Sequence, residues 1–153
     1  MTSVAVSVRR AVAADAGSLA ALRRAWTEED GGGPVDDAGF ESRFEAWFSG
    51  EQSPMWMAVR AGSEPVGMAT LRLVHRMPEP GRGSERWGYV GHVYVVPAER
   101  DQGIGRLLME ALIGWSRAEG LTRLVLHPRA RSLPFYGRLG FTDAQMLRLR
   151  LRP

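Results

Sequence analysis

Residues 96–108 read VPAERDQGIGRLL: an arginine, two glycines one residue apart and the start of an apolar helix, directly behind a β-branched run. A strand that turns through glycines into a helix gathers free backbone N–H groups and the positive end of the helix dipole at one spot, which suits a pyrophosphate. Gly103 and Gly105 remove side chains that would block close approach. Arg100 opens the loop and Arg106 sits in the first helical turn, so both add charge where phosphate oxygens would lie. A glycine pair before a helix also serves as an ordinary tight turn, so the surrounding sequence has to decide.

Two familiar phosphate sites do not fit. A dinucleotide fingerprint needs a third glycine and a parallel strand–helix–strand unit with an acidic residue about 20 positions on. A P-loop needs Gly-Lys-Ser or Gly-Lys-Thr, and the chain has no lysine. What remains is Gln/Arg-x-x-Gly-x-Gly/Ala after a strand, matched by Arg100, Gly103 and Gly105.

Working outward, WGYVGHVYVV (87–96) is the most β-branched and aromatic strand in the chain. Behind the loop, Ile104, Leu107, Leu108, Ala111, Leu112 and Trp115 recur at helical spacing, with Gly120 as a C-terminal cap. Upstream, VAVSVRRA (4–11) alternates as a strand, and Asp15 can cap a helix carrying Leu19, Leu22 and Trp26 on one face. DGGGP (30–34) has neither the preceding strand nor the lysine of a phosphate loop and reads as a flexible connection. A second helix over roughly 38–49 stacks Phe40, Phe44, Trp47 and Phe48, a core stripe. MWMAVRA and EPVGMATLRLVHR, joined through GSEP, form a hairpin. MPEPGRGSER (77–86) is a loop. LTRLVLH (121–127) reads as a strand, RSLPFYGRLG (131–140) as a short helix, and FTDAQMLRLRL (141–151) as a closing strand. The predicted order is βααβββαβαβ.

Composition narrows the function classes. A chain of 153 residues, 44% hydrophobic, fits one domain over 1–153 with a sizeable core. No apolar run approaches the roughly 20 residues of a membrane span, and the N-terminus lacks the order of a signal peptide, so a cytoplasmic protein is expected. The absence of cysteine excludes a thiolate nucleophile and zinc-thiolate sites, and no metal is expected. All 20 basic residues are arginine, yet the net charge is only +3 and the arginines are scattered, which argues against a dedicated nucleic-acid binder.

YVVPAERDQGIGRLLMEAL and, further on, SLPFYGRLGF (132–141) together resemble the two signatures of the GNAT superfamily of N-acetyltransferases. The likeness spans about residues 4–151. It implies an α/β fold with a mixed central sheet of about six or seven strands and about four helices, in which two parallel strands splay at a β-bulge to hold acetyl-CoA. By that resemblance Val93, Tyr94 and Val95 would pair with the pantetheine arm. Arg100, Asp101, Gln102, Gly103, Ile104, Gly105 and Arg106 would take the pyrophosphate. A primary amine, on a small molecule or a peptide, would attack the thioester directly, with Tyr136 protonating the departing thiolate.

The chain departs from the family at two points. Many members carry an asparagine after the fifth strand, where Arg129 stands here, and the strand before the loop has no carboxylate to act as base. Tyr89, His92, His127 or a water relay remain candidates, with His92 on the wrong strand face unless a bulge reverses the alternation. Trp26 and Glu29, at the end of the first helix, could hold a cationic amine. A non-catalytic acyl-CoA-binding module and an RNA-associated basic protein are the alternative readings. The modest charge disfavours the second of these, no membrane partner is expected, and a homodimer is compatible with the sequence.

Overall fold

The computed structural model describes residues 5–51 and 53–153. Val4, where the first strand was expected to begin, lies outside them, as do the residues before it. Five strands form one sheet in the order β1 (Val6–Arg10), β2 (Met55–Arg60), β3 (Glu64–His75), β4 (Arg86–Val95) and β5 (Leu124–Leu126). The first four pair antiparallel, and β4 pairs parallel with β5. Helices α1 (Ala16–Gly31) and α2 (Phe40–Gly50) pack on one face, α3 (Ile104–Ala118) on the other, and α4 (Leu133–Arg138) follows β5.

Each face of the sheet closes one hydrophobic core. Trp56, Ala58, Ala69, Leu71 and Val90 meet Leu108, Met109 and Leu112 of α3. Met55, Met57, Met68 and Tyr94 meet Leu19, Leu22 and Phe44 of the first two helices. Because β2 is covered on both sides, Met55 to Ala58 are all buried and read as a continuous apolar run rather than an alternation. Leu108, Met109 and Leu112 have no exposed surface, and each such side chain stabilises the fold by about 1.5–3 kcal/mol.

The structure differs from the sequence expectation at both ends of the chain. Asp15 does not cap α1 through its side chain; its carboxylate accepts the Val12 N–H at 2.7 Å and both guanidinium nitrogens of Arg9 at 2.7 and 2.8 Å. The stronger charged partner outcompetes the helix amides. At the other end, residues 141–150 form no strand, so the described residues hold five strands where six or seven were expected. Alternation makes a segment fit for a sheet, but a strand exists only where an edge supplies its hydrogen bonds. No described helix is long and apolar enough to cross a membrane.

At Gly67 of β3 the space for a side chain is closed by the β4 backbone and by α3. A Cβ there would lie 2.9 Å from the Tyr94 carbonyl oxygen and 3.1 Å from Leu108 Cδ1. Gly67→Ala is therefore expected to cost about 1–3 kcal/mol, the usual range for overpacking, measured as a lower midpoint in denaturant unfolding.

Candidate functional site

One extra residue in β4 builds the site. Tyr94 faces Met68 and Gly91 faces Thr70, so β4 spends three steps where β3 spends two. The surplus falls at His92–Val93, and His92 takes the left-handed conformation with φ 51°. Side-chain parity reverses there. Before the bulge the even-numbered Val90 packs toward α3; after it the even-numbered Tyr94 packs toward α1. Pairing with β5 ends at Val90 and Leu126 at the same level, so the two parallel strands part.

The gap is a groove of about 840 Å³, within the usual range for small-molecule sites. Val93, Tyr94 and Val95 form one wall; Leu126, His127 and Arg129 form the other. At its end the turn Pro97–Glu99 leads into the glycine loop, and Glu99, buried, is held by Arg60 of β2. Gly103 adopts φ 82°, a conformation that L side chains rarely take, immediately before α3. The first bond of the helix runs from Leu107 N–H to Gly103 O at 3.0 Å, and no side chain caps it. The N–H groups of Ile104, Gly105 and Arg106 are thus left for a ligand at the positive end of the dipole. Gly105 faces Phe135 of α4 at ordinary contact distance.

The loop's two arginines already have carboxylate partners. Arg100 donates from Nε to Val95 O at 2.9 Å and from both terminal nitrogens to Glu29 at 2.8 Å. Arg106 is joined to Glu110 at 2.7 Å. Asp101 borders the groove at φ 61°, while Gln102 donates to Ala98 O at 3.3 Å and does not line it. Both arginines line the groove while holding these carboxylates.

Glu29 is equally engaged. Besides Arg100 it accepts the Tyr94 hydroxyl at 3.0 Å. Arg100, then Tyr94, hold its pKa below the ordinary carboxylate value, whereas burial, reinforced by Glu29, pushes Tyr94 up to about 12. Trp26 stacks on Tyr94 with ring centres 5.4 Å apart. Asp30 beside it takes Arg129 at 2.6 and 3.2 Å, so the end of α1 is tied to both walls of the groove. Asp30 and Arg129 were not foreseen as partners; 99 positions separate them, and no local pattern joins them.

The bulge also settles the orientation of His92. Its ring meets the edge of Trp26 with centres 6.0 Å apart, on the α1 side. Thr70 Oγ1 donates its one proton to Gly91 O at 2.8 Å, so its 3.1 Å contact with His92 Nδ1 has the imidazole as donor. A neutral ring then keeps its lone pair on Nε2. Although the side chain keeps solvent access, partial desolvation, and secondly the charge of Arg23, hold its pKa below 6.5. His127 also lines the groove, whereas Tyr89 lies in the paired part of β4 opposite Val125 and does not. Tyr136 borders the groove from α4, its ring held edge-on between Phe135 and Phe141. Burial raises its pKa above 10, and its hydroxyl bonds to no described residue.

Residues 19–141 match the sequence profile of the acetyltransferase (GNAT) family. An aminoglycoside N(6')-acetyltransferase type 1 of Stenotrophomonas maltophilia is 30% identical over 87% of this chain and 82% of its own. A glucosamine 6-phosphate N-acetyltransferase of Trypanosoma brucei brucei is 37% identical over half of each protein, so the chain spans only half the length of that relative. Among solved structures, a predicted acetyltransferase of Clostridium acetobutylicum, crystallised with acetyl-CoA, superposes with a TM-score of 0.77 over 96% of this chain and 97% of its own. Identity there is 20%, and the likeness is one of fold.

The Glu29–Arg100 pair has a measurable acid signature. Because the folded-state pKa of Glu29 lies below 4.5, its contribution to stability is present above that value and is lost as pH falls through the folded pKa. Glu29→Gln should flatten that part of the stability profile, by no more than about 1 kcal/mol for a pair this exposed. Denaturant unfolding between pH 3 and 6 on the two proteins checks it.

Proposed function

Because the chain belongs to the acetyltransferase (GNAT) family, we propose that it is an N-acetyltransferase moving the acetyl group of acetyl-CoA to a primary amine, on a small molecule or a peptide. One observation carries the reading: a parted β4–β5 pair that opens onto the uncapped, amide-lined start of α3. When bound, acetyl-CoA supplies an activated thioester whose C–S bond breaks as the amine nitrogen bonds to the carbonyl carbon. The curated relatives named as acetyltransferases of a sugar phosphate and of aminoglycosides support an amine acceptor.

The chain's own residues have three tasks. The amides of Ile104, Gly105 and Arg106 hold the pyrophosphate, and the backbone of Val93 and Tyr94, unpaired on the β5 side, holds the pantetheine arm. His92 receives the proton of the attacking amine at Nε2, a role for which a neutral ring with Nδ1 engaged by Thr70 is prepared. Tyr136, its pKa raised by burial, stays protonated and gives its hydroxyl proton to the departing thiolate. Glu29 is occupied by Arg100 and Tyr94, and Trp26 is stacked on Tyr94 with Arg23 and Arg129 over its ring, so the two residues act on the acceptor by shaping the groove beside His92.

Acetyl-CoA is expected to raise the melting temperature and NAD is not, since a ligand bound only by the folded state stabilises it. Gly103→Val should weaken acetyl-CoA affinity sharply in a folded protein, by placing a branched side chain where φ is 82°. A larger shift with NAD, or unchanged affinity in the valine variant, defeats the reading of the loop.

An amine panel read by thiol release tests transfer itself. Tyr136→Phe should lower turnover by about 10² to 10⁴, toward the lower end because a thiolate leaves readily, with little change in acetyl-CoA affinity. The pH–rate profile should rise through a His92 pKa below 6.5 and fall only above pH 10 with Tyr136. His92→Gln removes the acid limb. Acetyl-CoA binding without turnover on any amine favours the non-catalytic module instead.

A further inference from the structure

Every carboxylate at the end of α1 is already engaged. Glu28 pairs with Arg24 at 3.7 Å and accepts the Val35 N–H at 3.1 Å, Glu29 holds Arg100 and Tyr94, and Asp30 holds Arg129. Arginine on the same side of the sheet is not. Arg23, one helical turn before Trp26, lays its guanidinium carbon 5.1 Å from the centre of that ring. It is half-buried, and its charge reaches the imidazole of His92. Among the described residues it meets no carboxylate and donates no side-chain hydrogen bond. The ring takes one face of the guanidinium, so the N–H donors in its plane are left for another partner.

Arg72 adds a second cation from a different element. Side chains alternate along β3, with Leu71 and Leu73 packed toward α3 and Met68 toward α1. Thr70 and Arg72 therefore share the α1 face, about 7 Å apart along the strand. Thr70 is the residue that engages Nδ1 of His92, and Arg72 stands beyond it opposite Tyr89 of β4. Thr70, Arg72 and Tyr89 belong to neither core cluster, so this part of the face is open. Arg72 is exposed and, among the described residues, has no carboxylate partner. An amine that gives its proton to His92 thus has the rest of its molecule beside two cations, while the carboxylates at the end of α1 are neutralised.

We propose that the acceptor is a small amine that also carries an oxyanion, a carboxylate or a phosphate, and that Arg23 and Arg72 hold that group while the amine sits at His92; this rests on the transfer proposed above. A guanidinium fork presents paired N–H donors that match either oxyanion. The partial burial of Arg23 strengthens its attraction relative to a fully solvated charge. A polycationic amine meets like charge at the same place and is disfavoured.

Matched amines test this with acetyl-CoA and thiol release: ethanolamine against phosphoethanolamine for the phosphate, butylamine against 4-aminobutyrate for the carboxylate, and putrescine as the dication. One anionic amine should exceed its matched partner by about 10- to 100-fold in kcat/KM, the range for hydrogen bonds to charged groups, and the advantage should shrink as salt is added. The pair that shows the gain identifies the oxyanion. Arg23→Gln and Arg72→Gln should each lower the ratio within that pair by about tenfold, and Arg23→Lys by less. A residue that only packs lowers both members alike and leaves the ratio unchanged. If Arg23→Gln does not fold by circular dichroism, Arg23→Lys and the exposed Arg72→Gln carry the same test. Turnover of butylamine, ethanolamine or putrescine equal to or better than that of both anionic amines overturns the inference and leaves the activity standing, as does an unchanged ratio in the folded variants. Absence of turnover on every amine overturns the activity and the inference with it.

Discussion

The single surplus residue in β4 is the constraint on which the site depends. A strand hydrogen-bonded on both edges cannot absorb it, so β4 keeps β3 and gives up β5 beyond Val90. The groove, the unpaired wall of Val93 to Val95 and the reversal of side-chain parity all follow from that choice. Without the reversal, Tyr94 would point at α3 and could reach neither Trp26 nor Glu29. His92 would face away from Thr70, and its ring would have nothing to fix the nitrogen that carries the proton.

Arginine then locks what the bulge arranges. The end of α1 is tied to β4 through Glu29–Arg100 and to the loop after β5 through Asp30–Arg129. Both pairs are bidentate, a geometry that a lysine ammonium cannot provide. Each is partly exposed, so its contribution is more to position than to stability. One consequence is electrostatic: Glu29 and Asp30 neutralise Arg100 and Arg129, while Arg106, Arg131 and Arg138 also line the groove. Arg129, in the loop after β5, thus serves as a clasp across the groove to the end of α1.

Much of the architecture could be read directly. The glycine loop between a β-branched strand and an amphipathic helix, the aromatic stripe of α2 and the hairpin of β2 and β3 are local patterns with periods of 2 or 3.6, and they fold as their periods dictate. The positive φ of Gly103 belongs to the same class, since it follows from a turn that only glycine enters freely. The charge partners were not legible. Arg100 and Glu29 stand 71 positions apart, and nothing in either neighbourhood says that the arginine reaches for a carboxylate rather than a phosphate.

Two outcomes were decided by tertiary structure alone. An alternating pattern gives a residue's face only while the alternation is unbroken, so the side of the sheet on which His92 falls depended on a bulge that no residue type announces. LRLRLR has the composition of a strand, yet it pairs with none of the described residues, because hydrogen-bond partners are a property of the edge it meets. The sequence determined which segments can be helix, strand or anion-binding turn, since those depend on near neighbours in the chain. Where each strand finds a partner, and which charges meet across the groove, is set by distances in space that chain order does not encode.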